Sequence, residues 1–277
     1  MRVLFTATAL TTLALAMPAM AQDTGSWTGP YIGGSIGIAT PDGGDDETLV
    51  FDTGLDGTFT DTVTTTSGAD AFSPGFCGGF ATGNSPGDGC EDDDIGFAYN
   101  VHAGYDMDFG GLVAGVVVDA GGANVQDSVT GFSTTPANYV LTREIDLAAS
   151  ARVRIGLPLG NTLAYATGGV AYAEVENSFS TSNGFNRFTF ENEEEDLVGY
   201  TLGGGLEQRI GDNLSIGLLY RYTDLGESDF TVNAGNGNPP SMTNPFVNPM
   251  TTAGSTDFRR TDSFDYHSVQ ATLSFRF

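Results

Sequence analysis

His267-Ser268-Val269-Gln270-Ala271-Thr272-Leu273-Ser274-Phe275-Arg276-Phe277 closes the chain and alternates without a break. His267, Val269, Ala271, Leu273, Phe275 and Phe277 share one face; Ser268, Gln270, Thr272, Ser274 and Arg276 share the other. A period of two is the mark of a β-strand. Tilted, a strand of about this length crosses a bilayer. In water an apolar strand edge is an aggregation hazard. The pattern makes sense if the strand pairs with another and turns its apolar face to lipid.

Seven further segments alternate in the same way: 31–39, 95–107, 112–120, 144–156, 162–176, 198–209 and 214–223. Short turns are expected at Asp108-Phe109-Gly110-Gly111, Leu157-Pro158-Leu159-Gly160-Asn161 and Gly211-Asp212-Asn213. The other connections are long, polar and rich in Gly, Asn, Asp or Pro. Long and short connections alternate along the chain. The expectation is an all-β fold: an eight-stranded antiparallel up-and-down transmembrane β-barrel with long extracellular loops and short periplasmic turns.

A soluble barrel would show the same alternation with its faces exchanged. Two features favour lipid outside. The polar face is mostly Gly, Ser, Thr and Ala, which suits the narrow interior of a small barrel. Phe97, Tyr105, Tyr220, Tyr222, Phe275 and Phe277 stand toward the ends of the apolar faces, where interfacial girdles belong. The interior is then expected to hold Asp106, Asp119, Arg152, Arg154, Glu207, Arg221 and Arg276, with Glu174 and Arg209 added. Isolated buried charges are costly, so these should pair into a plug that fills the lumen. In 162–176 the pattern is less regular; Leu163, Tyr165 and Val175 are assigned to the lipid face. In 144–156 Ile145 is assigned to lipid and Asp146 to the lumen.

The other end reads as an export signal. Met1-Arg2 is followed by an apolar stretch to Ala16 and by Ala19-Met20-Ala21, a small-x-small cleavage site. Residues 1–21 are expected to be a cleaved signal peptide, leaving 22–277 as one outer-membrane barrel domain. No other stretch approaches the roughly 18 apolar residues of a transmembrane helix. Formal net charge is -25, and all 10 basic residues are Arg. Nucleic acid is excluded as a partner, since nothing would neutralise its phosphates. Arg without Lys points to buried or paired cations rather than a solvated surface. In an exported chain Cys77 and Cys90 are expected to form a disulfide. It would close a ring of about 15 residues, worth about 3 kcal/mol. A metal or redox site is the alternative, but no histidine or second cysteine pair lies nearby.

Four motifs resemble the OmpA/opacity-type small outer-membrane β-barrels. They are Trp27-Thr28-Gly29-Pro30-Tyr31-Ile32-Gly33, Tyr165-Ala166-Thr167-Gly168-Gly169-Val170-Ala171-Tyr172, the run from Gly199 to Gly226, and the ending Leu273-Ser274-Phe275-Arg276-Phe277. The resemblance covers the strands and not the loops. It departs at Leu219, where such proteins usually carry an inward Glu. It implies an envelope structural or surface protein with no catalytic residues. It also implies that Phe275 and Phe277 form the signal read by the barrel-insertion machinery, and that outer-membrane lipids and lipopolysaccharide are partners.

No cofactor site is legible. Asp45-Asp46-Glu47, Glu91-Asp92-Asp93-Asp94 and Glu193-Glu194-Glu195-Asp196 could bind divalent cations such as calcium weakly, although none has the spacing of a calcium loop. His102 faces the lumen and His267 the lipid, so they cannot form one site. Three functions follow in order: a plugged surface or structural barrel, a narrow porin for small solutes, and a lipid-modifying enzyme without a visible constellation. The long loops, including Asn186-Arg187-Phe188 and 235–249, are read as surface contacts or disorder with equal weight.

Overall fold

The computed structural model describes residues 26–42, 47–237, 240–241, 243–247 and 254–277. The expected signal peptide (1–21), Asp45, Asp46 and parts of 235–249 lie outside the described residues. Eight strands form the barrel: β1 (Gly29–Pro41), β2 (Gly96–Asp108), β3 (Val113–Ala123), β4 (Ala137–Leu159), β5 (Thr162–Thr181), β6 (Glu194–Ile210), β7 (Leu214–Glu227) and β8 (Ser263–Arg276). Each pairs antiparallel with its sequence neighbour, and β8 pairs with β1 to close the wall. In that seam Tyr31 faces Arg276 and Ile38 faces Val269, and the Phe277 amide donates to the Pro30 carbonyl at 3.1 Å.

Accessibility settles which face is out. Ile36, Val153 and Leu206 are 59%, 59% and 57% exposed, whereas Asp106 and Arg154 are 0% and 4% exposed. A water-soluble barrel would be the reverse; this one needs lipid around it. Glycines on the inward face make room for the contents. A Cβ on Gly104 would overlap the Tyr31 ring, and one on Gly115 would overlap the Asp106 carboxylate. The β4–β5 turn is two residues long, and Gly160 supplies its left-handed φ of 66°.

Two assignments from the sequence are corrected. A β-bulge sets Glu174 against Leu147 and Val175 against Ile145, leaving Asp146 unpaired. One extra residue reverses every facing beyond it. Ile145 therefore points into the barrel and Asp146 points out. On β5, Leu163, Tyr165 and Val175 face inward and Glu174 faces out. The reason is apolar packing. Leu163 joins Trp27 and Val113 at the periplasmic end, and Val175 joins an apolar layer near the outer end.

The extracellular segments are folded. β4 and β5, of 23 and 20 residues, run well past the length needed to cross the membrane. The outer part of β4 pairs with Gln126–Ser133, which pairs with Gly75–Gly78. Leu49–Asp52, Arg187–Glu191, Thr231–Gly235 and Thr256–Arg260 make a separate four-stranded sheet. Leu49, Phe51, Phe72, Tyr139, Phe246 and Phe258 are among the buried residues of a cap core. Disorder is thereby corrected for the described loop residues: segments from all four long connections pack on one apolar interior. Cys77 and Cys90 are disulfide-bonded within this region.

Candidate functional site

The barrel interior and its junction with the cap are stacked in layers. At the periplasmic mouth Trp27, Val113 and Leu163 form an apolar floor, with Tyr165 packed against it. Trp27 has no exposure, and the Arg276 guanidinium lies 4.8 Å from its ring centre. Arg209 is also inward here. It donates to the Ser26 and Asp212 carbonyls at 2.8 and 3.0 Å rather than to a carboxylate.

Above the floor lies a balanced quartet. Arg154 Nε donates to Asp106 Oδ1 at 2.7 Å, its Nη2 bonds Asp106 Oδ2, and its Nη1 reaches Glu207 Oε2 at 2.9 Å. Arg276 Nη2 bridges Asp106 Oδ2 and Glu207 Oε1, both at 2.9 Å. Ser215 Oγ donates to Glu207 Oε1 at 2.6 Å. The Tyr31 ring is sandwiched by cation–π contacts, 4.7 Å from Arg154 and 4.7 Å from Arg276. Strand alternation puts all of these side chains on the inward face, and they come from β1, β2, β4, β6, β7 and β8.

A second group sits farther out. Asp119 Oδ2 accepts from Arg152 Nη2 and Ser150 Oγ at 2.6 and 2.5 Å, and its Oδ1 accepts from Arg221 Nη1 at 2.9 Å. Asp106, Asp119, Arg152, Arg154, Glu207, Arg221 and Arg276 are inside as expected, but they form two groups rather than one network. Glu174 is in neither. A cavity of about 30 Å³ separates the groups, lined by Arg152, Arg154, Arg221, His102 and Leu219 among others. That volume holds about two or three waters. His102 Nε2 lies 2.9 Å from Ser274 Oγ, a hydrogen bond inside the lumen. Beyond comes an apolar layer that includes Ile145, Val175, Leu197, Phe264 and Tyr266.

A third ionic group joins barrel to cap. Arg143 Nη2 bonds Asp127 Oδ2 at 2.6 Å and Asp262 Oδ2 at 2.5 Å. Arg260 Nη2 bonds Asp262 Oδ2 at 2.6 Å and Asp127 Oδ1 at 3.1 Å, and lies 3.5 Å from Glu47 Oε1. Burial, with the Asp127 carboxylate beside it, pushes the Glu47 carboxyl up to about 8 against the pull of Arg260. Against its own burial, Asp262 is held below the usual carboxylate range by Arg260 and then Arg143. The Glu47, Asp127 and Asp262 carboxylates come within 4.8 Å of one another, as metal ligands would. Two guanidiniums already bond this set, so it is an ion-pair centre rather than a metal site. Glu47, expected from the sequence in a solvated acidic cluster, is 5% exposed and belongs to this centre.

Arginine usage follows from these layers. Arg143, Arg152, Arg154, Arg209, Arg221, Arg260 and Arg276 are buried; Arg187 and Arg259 are not. The aromatic girdles are ordered by register. Phe97, Ile38, Val269 and Tyr220 form one row across four strands at the outer side, and Tyr105, Phe275 and Phe277 lie at the inner side. Sequence reading missed the cap core and the Arg143–Arg260 centre. A signal was present: Leu49 and Phe51, and Val232 and Ala234, alternate within loops.

A family model described as an outer membrane protein beta-barrel domain matches residues 7–277. The 22 kDa outer membrane protein of Rhizobium leguminosarum bv. viciae is 29% identical over 160 residues, 58% of this chain and 67% of that protein. The 31 kDa outer-membrane immunogenic protein of Brucella melitensis biotype 1 is 30% identical over 135 residues, 48% of this chain and 55% of that protein. The chain thus spans about half to two thirds of the length of these relatives. Among solved structures, the outer membrane protein OprG from Pseudomonas aeruginosa aligns over 92% of this chain and 100% of its own, with a TM-score of 0.50 and 14% identity. That likeness is one of fold.

Proposed function

This chain belongs to the outer membrane β-barrel domain family and resides in the outer membrane, and we propose that it works there as a sealed surface protein. The barrel anchors, and the folded cap presents a defined surface outside the cell. The observation that carries this reading is the layered lumen. An apolar floor, two charged layers, an apolar layer and a third ionic centre follow one another.

A porin needs a continuous wet path, and a lumenal cavity of only about 30 Å³ between two buried charged groups argues against one. An enzyme needs a reachable nucleophile and base. Ser274 is 3% exposed and its half-buried partner His102 points into the lumen beside it, so neither faces lipid. Lipid, lipopolysaccharide and the insertion machinery remain the partners that this reading calls for. The Brucella relative is named as immunogenic; by likeness the cap of this chain is the part an immune system would meet.

Planar-bilayer recording of the purified protein tests the seal. No stable open state is expected at either polarity. A large, steady conductance that survives repurification would overturn the reading.

A further inference from the structure

We infer that the barrel lumen binds a small monovalent inorganic anion, of chloride size, against Arg221. The argument starts from a charge count. Between the apolar floor and the outer apolar layer, four guanidiniums face three carboxylates. Arg154 and Arg276 are matched by Asp106 and Glu207. Arg152 and Arg221 share Asp119 alone. One positive charge is left over, and it belongs to the Asp119 group.

Hydrogen bonding places the excess. Asp119 is fully used, by Arg152 and Ser150 on one oxygen and Arg221 on the other. Arg221 is 6% exposed and its Nη1 bond to Asp119 is the one ion pair it makes among the described residues. Its Nε is buried and meets no acceptor. A guanidinium does not shed its proton. Water could occupy such a donor but would not cancel the charge, and an uncompensated charge in a low-dielectric interior is costly.

The space beside it fits an anion. Arg152, Arg221, Leu219 and Gln270 line the cavity of about 30 Å³. The Gln270 oxygen accepts from Ser35 Oγ and Asn100 Nδ2, at 2.8 and 3.2 Å, so its amide nitrogen is left as a donor toward the cavity. The volume suits one halide with about one water.

The test is to fold the full chain into detergent micelles with bromide as the anion, and to crystallise it. A single anomalous bromide peak in contact with Arg221 is expected. Folding in chloride or in gluconate at equal ionic strength gives a second readout. Each tenfold rise in chloride above its dissociation constant should raise the unfolding midpoint by about 3–6 °C. Leu219→Glu sets a carboxylate on the same inward face two residues from Arg221. It should abolish the chloride dependence while the midpoint in gluconate stays at or above that of the unsubstituted chain. Absence of bromide in the lumen overturns the inference, and so does a chloride effect without that peak. The bromide result stands by itself if the variant fails to fold.

Discussion

Replacing Arg154 with Met removes the hub of the balanced quartet. The substitution deletes the ion pairs to Asp106 and Glu207 and the cation–π contacts with Tyr31 and Tyr165. Met fills similar space, so the loss is mainly electrostatic. Two carboxylates then face Arg276 alone, with Asp106 at 0% and Glu207 at 3% exposure. Leaving a buried charge unpaired costs about 3–5 kcal/mol. Urea unfolding in micelles, followed by the heat-modifiable shift on gels, should show that loss. The companion Arg154→Met/Glu207→Gln restores neutrality. It should recover more than half of the loss, because the desolvation of Glu207 is removed with its partner. A single variant within about 1 kcal/mol of the original would refute the electrostatic account of the plug. A double variant as unstable as the sum of the two singles would refute it as well.

The cap should be separable from the barrel. Phe258 has no exposure and packs 5.9 Å from Phe51 and 6.1 Å from Phe246, so Phe258→Ala should cost about 3–5 kcal/mol locally. Limited proteolysis should then cut the loops while the barrel keeps its heat-modifiable migration; simultaneous loss of both would contradict separability. Glu47 titrates from about 8 in the folded protein, against 4.5 as its ordinary value. Its contribution is fully present below pH 4.5 and is lost as pH rises through about 8, so cap protection in hydrogen exchange should fall over that window. The loss is a few kcal/mol at about 1.4 kcal/mol per pKa unit; Glu47→Gln should flatten the slope, and an unchanged slope rules out Glu47 as its source. Deleting Phe277 removes the amide bond to Pro30 and an exposed ring at the inner girdle. Outer-membrane assembly should drop more than after any single loop deletion, and normal insertion would speak against a terminal signal.

Much of the barrel was legible because its side-chain period is two and its inner turns are short. Over 198–209, 214–223 and 267–277 β6, β7 and β8 kept the expected facing, since their inward positions there are small, polar or charged apart from Leu219 and their outward positions are mostly large and apolar. The reading failed where that division breaks down. On β5 the inward face holds Leu163, Tyr165 and Val175, because apolar clusters pack inside the barrel toward both ends. A rule of polar-inside cannot see a lumen that is partly oily. On β4 a single unpaired residue, Asp146, changed the phase, and no local pattern announces a bulge.

The cap was illegible for a different reason. Its sheet pairs Asp52 with Asp257 and Arg187 with Gly235, contacts that join separate loops across the length of the chain. Each contributing segment is four or five residues long, too short to stand out from a polar, glycine-rich loop. Only together do Leu49, Phe51, Val232 and Phe258 bury one another. The charge groups show the same division between what is local and what is assembled. Alternation alone places Arg152, Arg154 and Arg221 inside. It says nothing of which carboxylate each one meets, so it suggested a single balanced network. The structure divides that set into a neutral quartet around Arg154 and a group in which Asp119 serves two arginines. The distinction matters because a neutral quartet calls for no further ion, whereas a group with one cation to spare favours a negative sign in whatever small ion can share the space.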